Sequence, residues 1–104
     1  AEYAANVSVG CYLENIEIKR ELRTVNGISI TIKSRNENDE SIRIIAVLRD
    51  GNGTALEIEN KEVTVASGNS TEDINFKNTL NDNMTVDYFI TKIDYSPLSL
   101  KHTL

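Results

Sequence analysis

The stretch 40–68, ESIRIIAVLRDGNGTALEIENKEVTVASG, decides the fold. Over residues 41–49, Ile42, Ile44, Ala46 and Leu48 alternate with Arg43, Ile45, Val47 and Arg49, and successive side chains of a strand point to opposite faces. Apolar residues on both faces predict an interior strand, the most central of the chain. Asp50-Gly51-Asn52-Gly53 then turns the chain, because Gly and Asn supply the positive φ that a tight hairpin needs. Residues 54–66 return as a second strand. Leu56 and Ile58 share one of its faces and Ala55 and Glu57 the other. Glu59-Asn60 breaks the pattern before Val63 and Val65 resume it.

Working outward, Val7, Val9, Cys11 and Leu13 alternate over residues 6–13, and the phase then slips to Ile16 and Ile18. Such a slip predicts a bulge or a strand that changes sheets; a short helical turn over 19–22 is the alternative. Asn26-Gly27 marks a turn, and Ile28, Ile30 and Ile32 predict a half-buried strand. Residues 35–40, RNENDE, read as a solvated loop, 67–70 as a turn, Ile74 and Phe76 as a further strand, and 78–83 as a loop. Met84, Val86, Tyr88 and Ile90 line the penultimate strand; after Pro97, Leu98, Leu100, His102 and Leu104 alternate to the end.

Seven to eight short strands about 10 to 15 residues apart, with no convincing helical period, predict an all-β chain. The spacing and turns favour an antiparallel β-sandwich of immunoglobulin or fibronectin-III type over a closed barrel. The chain has 104 residues, 39% hydrophobic and 26% charged. That is enough for one two-layer core and too little for two, so residues 1–104 are expected to form a single domain. One cysteine and no tryptophan exclude an antibody-type disulfide core.

A net charge of −5 from scattered carboxylates argues against nucleic acid or an anionic membrane as partner. The one basic cluster, Lys19, Arg20 and Arg23, is interleaved with Glu17 and Glu21. No apolar run approaches the roughly 20 residues that span a bilayer, and no signal-peptide pattern opens the sequence.

The residues that could carry chemistry each have a plainer reading. His102 lies on an apolar face with no zinc-ligand spacing near it, which points to a structural or terminal role. Neither a G-x-S-x-G elbow nor a Cys-His signature is present. Cys11 sits in an apolar alternation and reads as core against a reactive or intermolecular thiol. The Asp50 loop is oxygen-rich like a calcium loop, but its twelfth position is Lys61, where a bidentate glutamate is needed. Asp39, Glu40 and Asp50 brought together at a sandwich end are a second route to calcium. Tyr3, Tyr12, Tyr88 and Tyr95 are the candidates for a sugar-stacking platform, with Tyr88 reading as core. No cofactor, metal or catalytic residue is expected. The candidate contact surfaces are edge strands and the loops 35–40, 50–53, 67–71 and 78–83, with Asp39, Glu40, Asp50, Asn52, Tyr12 and Tyr95 as candidate contact residues.

Residues 42–76, the run MTVDYFITK at 84–92 and SPLS at 96–99 together resemble the small immunoglobulin/fibronectin-III-like accessory modules of secreted and surface-layer proteins in Gram-positive bacteria. In that pattern an aliphatic strand (Ile44 to Leu48) ends in a D/N-G turn (Asp50 to Gly53). A valine-rich strand (Val63, Val65) precedes a Gly turn at Gly68, and an aromatic residue of the last hairpin (Phe89) is followed by Pro97-Leu98. The likeness spans about residues 28–99. It implies an extracellular or cell-surface setting and a spacer, adhesion or protein-interaction role, with a protein partner or neighbouring domains of the same polypeptide, and it offers no catalytic residues. A carbohydrate-binding module is the alternative.

Overall fold

The computed structural model describes residues 16–99 and 101–104. Among these residues seven strands follow one another: β1 (Ile16–Thr24), β2 (Gly27–Ser34), β3 (Glu40–Arg49), β4 (Ala55–Val65), β5 (Gly68–Asn75), β6 (Thr85–Lys92) and β7 (His102–Thr103). All ladders are antiparallel. They form a three-stranded sheet, β1-β2-β5, and a four-stranded one, β4-β3-β6-β7. This is the expected β-sandwich, at the lower end of the strand range.

Alternation builds the core. Ile28, Ile30 and Ile32 of β2 meet Ile42, Ile44, Ala46 and Leu48 of β3 and Val86, Tyr88 and Ile90 of β6, all wholly buried. Each large aliphatic side chain removed from water in this way contributes about 1.5–3 kcal/mol. Ile74, Phe76 and Leu98 complete the layer, with Leu80, Met84 and Leu104 packed against it. β3 is interior in its sheet, as expected, between β4 and β6. Its second apolar face, Ile45 and Val47, is only half-buried on the outside of the sandwich.

Three expectations change. The helical turn at 19–22 is instead strand: β1 runs through it, with a bulge between Ile18 and Arg20. That bulge reverses which residues face inward. Ile16 and Ile18 are buried before it; after it Glu21 and Arg23 stand beside Ile30 and Ile28, and Leu22 is exposed.

Second, β4 is unbroken at Glu59-Asn60, its register with β3 running from Glu40↔Val65 to Leu48↔Glu57. The apolar residues change sides there: Val63 and Val65 are buried, whereas Leu56 and Ile58 are 42% and 66% exposed on the outer face. The cause lies opposite. The inner side of this half of β4 looks onto the edge of β5 and the chain after it, where Lys61 Nζ donates to the Asp73 carbonyl at 2.9 Å. Glu57 likewise accepts from the Lys77 and Asn78 amides at 2.8 and 2.9 Å. Those amides hold the Glu57 carboxyl below the usual range.

Third, among the described residues of the alternation over 98–104, the strand is confined to His102–Thr103. The alternation over 6–13, with Cys11, lies outside the described residues.

Candidate functional site

The chain reverses at two ends of the sandwich. Loops 35–39 and 66–67 and the turn at 93–95 occupy one; turns 25–26 and 50–53 and the loop 76–84 occupy the other. Asp39 and Glu40 therefore lie at the opposite end of β3 from Asp50 and Asn52, a ten-residue strand away, or about 33 Å. The three carboxylates proposed for calcium do not converge. Among the described residues no group of three or more His, Cys, Asp or Glu side chains gathers to hold a metal ion. Asp50 Oδ1 instead accepts from the Asn52 and Thr54 amides at 2.9 and 3.0 Å, closing the hairpin turn, and Asn52 is exposed at its tip.

The outer face of the four-stranded sheet brings together what the sequence scattered. By register, Ile45 stands between Asn60 and Phe89, and Val47 between Ile58 and Asp87. Ile45, Val47, Leu56, Ile58 and Phe89 form an apolar band that no layer of the described chain covers. Each end is closed by an arginine.

At one end, Arg49 Nε donates to Asp87 Oδ2 at 2.9 Å and its Nη1 to the Gly53 carbonyl at 3.0 Å. Thr103 Oγ1 donates to the other Asp87 oxygen, Oδ1, at 2.6 Å, and Lys101 Nζ lies 3.8 Å from Oδ2. Burial pushes the Asp87 carboxyl up, but these hydrogen bonds and charges outweigh it and hold the group below the usual aspartate range.

At the other end Tyr95 folds over from the turn after β6. Lys92 N donates to Ser96 O and Tyr95 N to Lys92 O, which encloses a three-residue loop. The last residue of such a loop takes the left-handed conformation that favours glycine. Tyr95 holds it at φ 71°. Its ring lies 4.6 Å from the Arg43 guanidinium, its hydroxyl accepts from Asn60 Nδ2 at 3.1 Å, and the residue is 53% exposed. Tyr88 is wholly buried, as expected, and Tyr3 and Tyr12 lie outside the described residues. Among the described tyrosines, then, Tyr95 alone presents a ring to solvent, and Arg43 occupies one of its faces.

A second cluster joins the two sheets. The bulge in β1 turns Glu21 inward, where its Oε2 accepts from the Tyr88 hydroxyl and lies 3.1 Å from His102 Nδ1. The imidazole stacks on Tyr88 with centroids 5.2 Å apart. Burial, and then the hydrogen bond and charge of Glu21, keep the Tyr88 hydroxyl protonated far above the phenol range. Both donors end on one carboxylate oxygen, so the cluster clamps β6 and β7 to β1. Below it Arg23 donates to the Met84 and Asn81 carbonyls at 2.6 and 2.8 Å. Sequence reasoning assigned His102 a structural role and missed Glu21; the signal was the apolar phase lost after Ile18.

No protein-family model and no curated protein matches the chain. Solved structures do. A β-glucuronidase 2 of Bacteroides uniformis, bound covalently to cyclophellitol-6-carboxylate aziridine, is similar with a TM-score of 0.51 at 12% identity, over 86% of this chain and 12% of that one. Another Bacteroides uniformis β-glucuronidase structure gives 0.49 at 12% identity over the same shares. An endonuclease/exonuclease/phosphatase from Beutenbergia cavernae gives 0.42 at 18% identity, over 81% of this chain and 22% of that one. The chain thus spans 12% of the length of the first glucuronidase, and what the two share is the β-sandwich fold.

Proposed function

We propose that the chain is a non-catalytic structural module of a larger, secreted or cell-surface bacterial protein, packed through the outer face of its four-stranded sheet against a neighbouring domain of the same polypeptide. The apolar band of Ile45, Val47, Leu56, Ile58 and Phe89 carries this reading. Contiguous exposed apolar surface on a folded domain marks an interaction site, and an arginine-flanked, aromatic-containing patch has the composition of a protein interface. Its seating inside a longer chain is supported by a fold match that occupies 12% of the glucuronidase.

The extracellular setting rests on the resemblance to accessory modules. In chain-order letters the sheets are A-B-E and D-C-F-G, against ABED and CFG in constant immunoglobulin domains. The fourth strand has crossed to the C side, in keeping with an immunoglobulin/fibronectin-III-like module. The non-catalytic reading is supported by His102, Glu21 and Asp87, each engaged in contacts between strands.

Amide hydrogen exchange tests the docking. Residues of β4 and β6 exchange more slowly in the full-length natural polypeptide than in the isolated chain, and Ile58→Lys removes the difference while leaving the isolated melt unchanged. Equal exchange in the two overturns the reading. The alternative, a carbohydrate-binding module, is favoured by the exposure of Tyr95; a rise in melting midpoint with a polysaccharide would establish it.

A further inference from the structure

We propose that β4 is a self-association edge, along which two copies of the chain pair antiparallel about a two-fold axis through Asn60 and join their four-stranded sheets into one. This goes beyond the docking reading, since it uses the strand's edge and not the sheet's outer face.

Among the described strands β4 is the longest, 11 residues, and pairs on one side only. It contains neither Gly nor Pro, and the side facing away from β3 is a row of backbone groups ready to pair. What guards it is charge: Glu57, Glu59, Lys61 and Glu62. Those charges also choose a register.

When identical strands pair antiparallel about a two-fold axis, the axis passes through one residue and its neighbours oppose each other symmetrically. With the axis at Asn60, Glu59 of each copy faces Lys61 of the other, giving two opposite-charge pairs. Moving the axis to Glu59, Lys61 or Glu62 sets a charge against itself, and moving it to Ile58 sets Glu57 against Glu59 twice. Like charges directly opposed destabilise a sheet pair.

The side chains at the chosen axis have capacity to spare. Glu59 makes no hydrogen bond or ion pair among the described residues. Lys61, with three donors, uses the Asp73 carbonyl and lies 3.6 Å from Glu72. Asn60 gives its amide to Tyr95, which leaves the carbonyl oxygen and a second N–H for its twin. A single strand edge is a small interface, so the dimer is reversible and concentration-dependent.

Sedimentation velocity over a concentration series tests this on the intact chain, with melts confirming that each variant is folded. The wild type shows a monomer–dimer equilibrium. Lys61→Glu and Glu59→Lys each weaken it about tenfold or more, because each places like charges opposite one another. An equimolar mixture of the two variants regains wild-type affinity, since opposite charges then meet at both contacts, and the double exchange E59K/K61E regains it in a single chain. A wild type that is monomeric throughout, a dimer indifferent to both changes, or a mixture no tighter than its components overturns the proposal.

Discussion

The carboxylate of Glu21 and the imidazole of His102, 81 positions apart in the chain, meet at 3.1 Å where β1 faces β7. The same oxygen accepts the Tyr88 hydroxyl, so a single substitution at Glu21 orphans a buried donor and frees the C-terminal strand together. Glu21→Ala is therefore expected to lower the unfolding free energy by about 2–3 kcal/mol, the cost of an unsatisfied buried hydroxyl plus a lost charged hydrogen bond. In a Tyr88→Phe background, where no hydroxyl remains to be orphaned, the same change costs about 1 kcal/mol less. Urea unfolding of the four proteins measures the coupling; additive losses would show that the carboxylate does not serve both partners.

Asp87 makes a prediction about acid. Its carboxyl is depressed in the folded state, so it contributes stability that is fully present above its unfolded value of about 3.9 and is lost as pH falls through the lower folded value. Asp87→Asn is expected to cost about 1–3 kcal/mol at neutral pH, from the lost charged hydrogen bonds. The gap to wild type should hold down to about pH 4 and close below it. Melts from neutral pH into the acid limb check this. A gap that widens toward low pH would reverse the assigned shift.

Two glycines separate space from conformation. A Cβ on Gly27 would lie 1.8 Å from the Ile74 carbonyl oxygen, backbone that can yield only by moving β5. Gly53 has nothing within 4 Å of such a Cβ but sits at φ +85°. Gly27→Ala is expected to cost about 3 kcal/mol or more through displaced strand pairing, and Gly53→Ala about 1 kcal/mol of left-handed strain. Equal losses in thermal unfolding would mean that β5 adjusts freely.

Wherever one periodicity governed a strand, the sequence was readable: the isoleucines of β2, both faces of β3, and the Val86, Tyr88, Ile90 row of β6 all lie as alternation placed them. Legibility failed where tertiary placement overrode period. The bulge after Ile18 turned Glu21 inward by a one-residue slip, and nothing local announces which core residue such a carboxylate will meet. Leu56 and Ile58 look like core on hydrophobicity alone, yet they sit on the outer face, because the inner side there belongs to the polar bridges of Glu57 and Lys61. The Asn26-Gly27 signal marked the turn, but it did not show what the glycine is for. Gly27 is needed for close approach to β5, and positive φ among the described glycines belongs to Gly53 and Gly68.

Tyr95 was named as a surface residue, but its backbone was unreadable, since no local preference places a tyrosine at φ 71°. Glycine there would relieve about 1 kcal/mol. The ring's contact with Arg43 and the hydroxyl's with Asn60 oppose that relief, each being worth about 0.5–1 kcal/mol at an exposed site. Tyr95→Gly is accordingly expected to change stability by less than about 0.5 kcal/mol in the wild-type chain. In an Arg43→Ala, Asn60→Ala background the opposing contacts are gone, and the same substitution should stabilise by about 1 kcal/mol. Paired denaturant titrations decide it: a Tyr95→Gly effect of the same size in both backgrounds would show that Arg43 and Asn60 do not hold the tyrosine in its strained conformation, and that the turn itself imposes it.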